Sequence, residues 1–174
     1  GMKWKLSPTQ RLDVALFDIR TSDEIVVATS ENGRSTYKNA GRTTRRGIEL
    51  AHTARLGESL QSTLSLSAMR ARFADPFVSG SGASAVTVPA GNRIPGTPER
   101  TLFAELAWAP KNAWSGFNAA VEVVHRGQLF VNDANDDAAP AATVVNLRAA
   151  LSQQVGNWRF SELLRVGNAS DRHY

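Results

Sequence analysis

The sequence predicts an all-β chain, an antiparallel up-and-down meander of about seven or eight strands. Three observations predict it. Apolar and polar residues alternate with period two through most of the chain. Short turns and long polar links alternate between those segments. No stretch approaches the ~20 consecutive apolar residues of a membrane helix.

Strand side chains point alternately to opposite faces, so each segment is tested by residue parity. A partial first strand is expected at Lys3–Leu6. Leu12–Ile19 is ambiguous, because Leu12, Val14 and Leu16 give way to Phe17 and Ile19; a bulge would shift the face there. From Thr44 to Leu56, Ile48, Leu50, Ala54 and Leu56 share one face, with Arg45, Glu49, Thr53 and Arg55 opposite. Leu60, Leu64, Leu66 and Ala68 oppose Gln61, Thr63, Ser65 and Ser67. Leu102, Ala104, Leu106 and Trp108 share a face, with Glu105 opposite. Phe117, Ala119, Val121 and Val123 oppose Asn118 and Glu122. Val145, Leu147, Ala149 and Leu151 oppose Asn146, Arg148 and Ser152. Trp158, Phe160, Leu164 and Val166 oppose Arg159, Ser161 and Arg165, and Glu162 breaks that last apolar stripe.

Short turns are expected at Ser7-Pro8-Thr9-Gln10, Leu56-Gly57-Glu58-Ser59, Pro110-Lys111-Asn112-Ala113 and Val155-Gly156-Asn157, where Gly, Pro and Asn supply turn geometry. Long polar links are expected at Ser30–Thr36, Asp75–Pro95 and Gly127–Pro140. Short turns at one end and long loops at the other is the pattern of an outer-membrane barrel, and strands of roughly ten residues suit one crossing. A soluble sandwich or lipocalin-like barrel alternates too, with its apolar face turned inward, so alternation leaves both open. Two features favour the membrane solution. The face opposite the apolar one is rich in Arg, Glu, Asn, Ser and Thr, and Trp108, Trp114 and Trp158 sit beside the short turns, where an aromatic girdle would lie.

With 174 residues, one domain over 1–174 is expected. The net charge of +4 is mild and spread along the chain, unlike the basic stripe of a nucleic-acid binder. The absence of cysteine excludes a disulfide scaffold and a Cys-ligated metal. Gly1-Met2-Lys3-Trp4 carries no apolar signal-peptide core, and Gly1 before Met2 reads as a tag remnant.

Several local motifs occur in an order that resembles the barrel of TonB-dependent outer-membrane receptors of the siderophore type. Tyr37-Lys38-Asn39-Ala40-Gly41 leading to Gly47-Ile48-Glu49 resembles that family's aromatic-x-Asn-x-Gly and Gly-(Ile/Val)-Glu elements, which it carries on one descending strand. Phe73-Ala74-Asp75 is similar to the end of its next ascending strand. Gly91-Asn92-Arg93-Ile94-Pro95-Gly96-Thr97-Pro98 resembles the Gly-x-x-(Ile/Leu)-Pro-x-(Val/Thr)-Pro element, where a loop re-enters the barrel wall. Thr143-Val144-Val145-Asn146-Leu147 and the Asn168-Ala169-Ser170-Asp171-Arg172-His173-Tyr174 end resemble the penultimate elements, with Ala169 and Ser170 departing from the family pattern. The resemblance covers nearly the whole chain. It implies a transmembrane β-barrel segment in a bacterial outer membrane, with structural motif positions at Tyr37, Asn39, Gly41, Gly47, Glu49, Pro95, Pro98, Asn146, Asn168, Asp171, Arg172 and Tyr174. It implies lipid as a partner and, for full-length members, TonB and an iron-siderophore-like ligand. The family's plug, its TonB-binding segment and its last strand are expected to be missing, so the piece is expected not to transport by itself. Family barrels have about 22 strands. A sheet of seven or eight is therefore expected to close as a small barrel through its short N-terminal strand, or to pair its edges between chains as an oligomer. The alternatives are a stand-alone small barrel with a structural or surface role, and a soluble barrel holding an apolar ligand.

Physically, Gly41 and Gly47 would relax crowding where a strand bends, and Pro95 and Pro98 precede a strand, where a missing N–H costs least. Glu49 and Arg45 share a face and could pair. No catalytic, cofactor or metal residue is assigned. Ser79-Gly80-Ser81-Gly82-Ala83-Ser84 lacks the Lys of a phosphate loop. Asp133-Ala134-Asn135-Asp136-Asp137 begins like a calcium loop, but Ala138 and Val144 stand where such a loop has Gly and Glu. His52, His125 and His173 have no metal-ligand spacing, and His52 falls on the apolar parity.

Overall fold

The computed structural model describes residues 1–31, 34–80, 82, 85–111 and 114–172. Its backbone is one antiparallel sheet with three small hairpins at one end. The sheet holds β1 (Met2–Ser7), β2 (Gln10–Thr21), β5 (Thr43–Leu56), β6 (Leu60–Phe73), β9 (Arg100–Trp108), β10 (Phe117–Arg126), β13 (Ala142–Val155) and β14 (Trp158–Val166). They lie side by side in sequence order, so it is the expected meander of eight strands. The hairpins are β3 (Ile25–Glu31) with β4 (Arg34–Asn39), β7 (Phe77–Ser79) with β8 (Val86–Val88), and β11 (Leu129–Phe130) with β12 (Ala138–Ala139). Each expected long link therefore carries a hairpin of its own. The first spans more than Ser30–Thr36, because β2 ends at Thr21 and β5 begins at Thr43.

The pairing registers align the parities of all eight strands. One row runs Val14, Leu50, Leu66, Leu102, His125 and Thr143, and the next toward the short turns runs Leu12, His52, Leu64, Ala104, Val123 and Val145. Leu151 opposes Glu162 and Leu147 opposes Val166, so the apolar face continues onto β14 with Glu162 within it. That face has no protein cover: Leu16, Leu164 and Trp158 are 73%, 67% and 74% exposed. A one-residue slip of any strand would turn its whole apolar set to the other side. β2 pairs with β5 without a break, so the bulge expected within Leu12–Ile19 is absent and Phe17 and Ile19 point to the polar face. The irregularity lies between β1 and β2 instead, at Lys5 to Ser7.

The sheet does not close. β1 joins it beside β2 and not as a bridge to β14, so both remain edges. The expected closed small barrel, alone or as a soluble ligand-binding barrel, is thus not the structure; the latter would need its apolar side chains turned inward, and here they are bare. The buried apolar core is small and sits at the hairpin end. Ala40, Phe73 and Val88 are 1%, 1% and 0% exposed, with Val26, Phe77 and Ile94 packed around them.

Candidate functional site

The hairpin end is where the sequence motifs meet. Tyr37 and Asn39 lie on β4, whereas Gly47, Ile48 and Glu49 lie on β5, so the motif expected on one strand is split over two. The break is Gly41, at φ 76°, a left-handed conformation that an L side chain enters at a cost. The Asn39 side chain holds the break from both sides. Its Oδ1 accepts from the Gly41 amide at 2.6 Å, and its Nδ2 donates to Asp23 at 2.7 Å. Arg42 then grips Asp75 through its backbone N–H and its guanidinium, with Nη2 to Oδ1 at 2.7 Å. Hydrogen bonds from the Arg42 side chain and backbone lower the Asp75 pKa to about 2. The Ala74 amide donates to the Arg42 carbonyl at 2.8 Å, so the two segments are knotted beside the buried Phe73. Tyr37 is exposed.

Arg45 does not meet Glu49, the pairing its parity suggested. It donates to Glu24, on the β2–β3 connection, at 2.7 Å, and to the buried Thr43 hydroxyl at 3.1 Å. Hydrogen bonding from Arg45 holds the Glu24 carboxyl below its ordinary value against the opposing effect of burial, and a weaker hydrogen bond from Thr43 adds to the lowering. Glu49 stands on the polar face between its cross-strand partners Ala15 and Ser67.

Gly47 has a different reason for being glycine. Its cross-strand partner on the polar face is Phe17. A Cβ there would lie 2.6 Å from the tip of the Phe17 ring and 2.6 Å from the Ala68 carbonyl oxygen. The ring covers the bare glycine, a device that restores packing where a strand must bend.

The Gly91–Pro98 element returns to β6 as a short added ribbon. Arg93 forms a bridge with Arg72, and the Ile94 amide donates to the Ala71 carbonyl at 3.1 Å. Pro95 and Pro98 follow, where no donor is required. The outer side of the ribbon is held by the acidic loop. Asn135, at φ 62°, accepts from the Arg93 amide at 2.7 Å and donates to the Arg93 carbonyl at 3.0 Å, as a neighbouring strand would. Asn92 donates to the Asp133 and Ala134 carbonyls, and the Ser79 hydroxyl donates to the Asp133 carboxylate at 2.9 Å. The segment resembling a calcium loop is a latch between hairpins.

The C-terminal element is also a local lock. Asn146 on β13 accepts from the Asn168 amide at 2.9 Å. Asn168, at φ 51°, donates to the Arg172 carbonyl and accepts from its amide, with Asp171 at φ 49° inside the turn. Tyr174 and His173 lie outside the described residues, as do Asn112 and Ala113 of one expected turn and Ser81, Ala83 and Ser84 of the Gly-rich loop.

In its middle rows the polar face carries facing charges of like sign. Glu105 and Glu122 are direct cross-strand partners, and so are Arg148 and Arg165. Like charges so placed repel. Diagonal pairs offset this: Arg148 reaches across β10, over Ala120, to Glu105 at 3.0 Å, and Arg165 reaches Glu122 at 3.6 Å. Asn146 adds a donor to Glu122 at 3.4 Å. The Arg148 Nε is buried with no hydrogen-bond partner among the described residues. At the hairpin end Glu99 takes Arg93 at 2.5 Å and Arg72 at 3.8 Å.

This arrangement can hold a polar guest by charge and hydrogen bonding. Among the described residues no group of three or more His, Asp and Glu comes together as a metal site. His52 and His125 both stand on the apolar face, and His125 Nδ1 lies 2.8 Å from the Thr143 hydroxyl. Sequence reasoning missed the three hairpins and the role of Asn135. The first hairpin carried a signal, Asn32-Gly33 between apolar Ile25-Val26-Val27 and Tyr37. Asn135 carried none beyond its type, because its partner is 42 residues away.

A family model described as "TonB dependent receptor-like, beta-barrel" matches residues 1–169. Three solved structures are similar over 98% of this chain: BauA, the ferric preacinetobactin receptor from Acinetobacter baumannii (16% identity, TM-score 0.74), the siderophore receptor PiuA from the same organism (17%, 0.75), and the ferric yersiniabactin uptake receptor FyuA from Yersinia pestis (17%, 0.72). The likeness at that identity is one of fold. This chain spans 24%, 23% and 24% of their respective lengths.

Proposed function

Because the chain belongs to the TonB-dependent receptor-like β-barrel family, we propose that it forms a wall segment of an outer-membrane receptor for an iron-siderophore-like complex. That family is one of transport receptors of the outer membrane, not of enzymes. In this reading the apolar face meets lipid and the polar face lines the lumen. TonB supplies the energy of uptake in the complete receptor. The observation that carries it is the division of faces in register across eight strands, with the apolar side bare and the polar side laced with ion pairs. On β5 the apolar rows run from Ile48 to Leu56, which suits the roughly 9–11 residues of a tilted strand crossing. Trp108 and Trp158 stand at strand ends next to the short turns, at the level of an aromatic girdle.

The motif residues then have a structural task. Asn39, Gly41, Asn146, Asn168, Asp171 and Arg172 stabilise the hairpin end, Gly47 seats Phe17, and Pro95 and Pro98 end the returning ribbon. Glu49 contributes charge to the lumen. The 174 residues alone do not transport, because an open sheet encloses no lumen, and the edges β1 and β14 accept further strands. No catalytic residue is assigned.

Size-exclusion and far-UV circular dichroism with and without detergent test the reading. A β-rich species that is monodisperse only in detergent is expected. A monodisperse, β-rich, cooperatively melting species in plain buffer would mean that the apolar rows are buried against protein, and would overturn it.

A further inference from the structure

The apolar face changes character at its hairpin end. Beyond the row Leu16–Ile48–Ala68–Arg100 comes the row Asp18–Arg46–Arg70. Arg46 and Arg70 are direct cross-strand partners, and Arg100 is the diagonal neighbour of Arg70 on the next strand. Like charges opposed in this way destabilise a sheet. Asp18 offsets part of it, lying 3.0 Å from Arg46 and 3.7 Å from Arg20. Among the described residues Arg70 and Arg100 have no carboxylate partner, and both are exposed. Immediately below them lies an open groove of about 390 Å³, lined by Ile48, Leu50, Leu66 and Leu102 together with Arg100 and His125. The groove and the arginines share one face of the same strands.

We propose that this face binds a phosphorylated lipid, with the phosphate on Arg46, Arg70 and Arg100 and an acyl chain along the groove. Charge complementarity identifies the occupant. Guanidinium groups take phosphate oxygens in paired hydrogen bonds, and an anion between Arg46 and Arg70 removes their repulsion. The height on the wall agrees: the arginine row begins where the apolar rows of a membrane crossing end, at the level of headgroups. A soluble phosphate compound would leave the groove empty, and a zwitterionic lipid would bring its own cation to a cationic patch. The proposal rests on the reading that the apolar face meets lipid.

The test separates the two. The 174-residue chain is reconstituted in phosphatidylcholine vesicles. Phosphatidylcholine with brominated acyl chains reports contact of the apolar face with lipid through quenching of tryptophan fluorescence. Spin-labelled phosphatidic acid and spin-labelled phosphatidylcholine then report relative association at the protein surface. Phosphatidic acid is expected to be preferred, and the preference is expected to drop about fivefold for each of Arg70→Gln and Arg100→Gln. R70K/R100K, which keeps the charge, is expected to retain most of it, and inorganic phosphate is expected not to displace the lipid. Quenching without any preference overturns the lipid site and leaves the barrel reading standing. A preference unchanged in R70Q/R100Q, or one abolished by inorganic phosphate, also overturns it. Absence of quenching sinks the membrane reading and this proposal with it.

Discussion

Gly47→Ala is the substitution whose outcome depends most directly on the packing described. In an ordinary strand interior, alanine in place of glycine stabilises by roughly 0.5–1 kcal/mol, because the unfolded chain has less freedom to lose. Here the added methyl would lie 2.6 Å from the Phe17 ring tip, 2.6 Å from the Ala68 carbonyl oxygen and 3.1 Å from the Met69 Cα. The ring can rotate away; the carbonyl belongs to the β5–β6 ladder and cannot move without opening it. Overpacking of this kind costs about 1–3 kcal/mol, which outweighs that gain, so the sign reverses and G47A destabilises by about 0.5–2 kcal/mol net. A double-mutant cycle with Phe17→Ala divides the cost. Part of it disappears in the F17A background, because the ring contact is gone, and the part due to Ala68 remains. Coupling of about 0.5 kcal/mol or more is expected between the two sites. The assay is urea unfolding in detergent micelles, followed by far-UV circular dichroism for all four proteins. A neutral or stabilising G47A would refute the account, since it would mean that Phe17 does not sit over Gly47. A penalty identical in both backgrounds would refute the ring's share of it.

The hairpin-end knot should be acid-sensitive in a defined window. Asp75 is charged down to a pKa of about 2 in the folded chain against an ordinary 3.8, so its contribution is whole above about pH 4 and lost as pH falls through 2. Proteolysis of the β7–β8 hairpin should rise across that interval, and Asp75→Asn should show the raised rate already at neutral pH; an unchanged D75N would show that Arg42 does not depend on the carboxylate. Asn135→Ala loses both hydrogen bonds to Arg93 and places alanine at φ 62°. It should cost about 1–3 kcal/mol locally, read as faster hydrogen exchange of the Arg93 amide without a shift of global unfolding. Arg148→Met leaves Glu105 beside Glu122 without its cation; about 1 kcal/mol of destabilisation is expected for this partly exposed pair, largely recovered in E105Q/R148M. No recovery would mean that the pair stabilises nothing. Phe73→Ala empties the small core against Ala40 and Val88 and should cost about 3–5 kcal/mol, measured by the same urea titration.

The strands and the identity of the two faces were legible in the sequence. Parity alone put Ile48, Leu50, Leu66, Leu102 and Val121 on one side and Glu49, Glu105, Glu122 and Arg148 on the other, because a strand's period of two is a local property of the backbone. The motif order announced the family for a similar reason: turns and strand breaks such as Gly41 are set by residues close in sequence. Partners were not legible. Arg45 chose Glu24 over Glu49, Arg42 chose Asp75, Arg148 chose Glu105 and Gly47 lies under Phe17. Each choice depends on the registers of two or more strand pairs and on hairpins whose positions alternation does not encode. Whether the sheet closes lay equally beyond the sequence, because closure depends on the curvature accumulated over every strand. The amino-acid sequence thus determined which face each side chain takes, and only the tertiary structure decided what each side chain meets there.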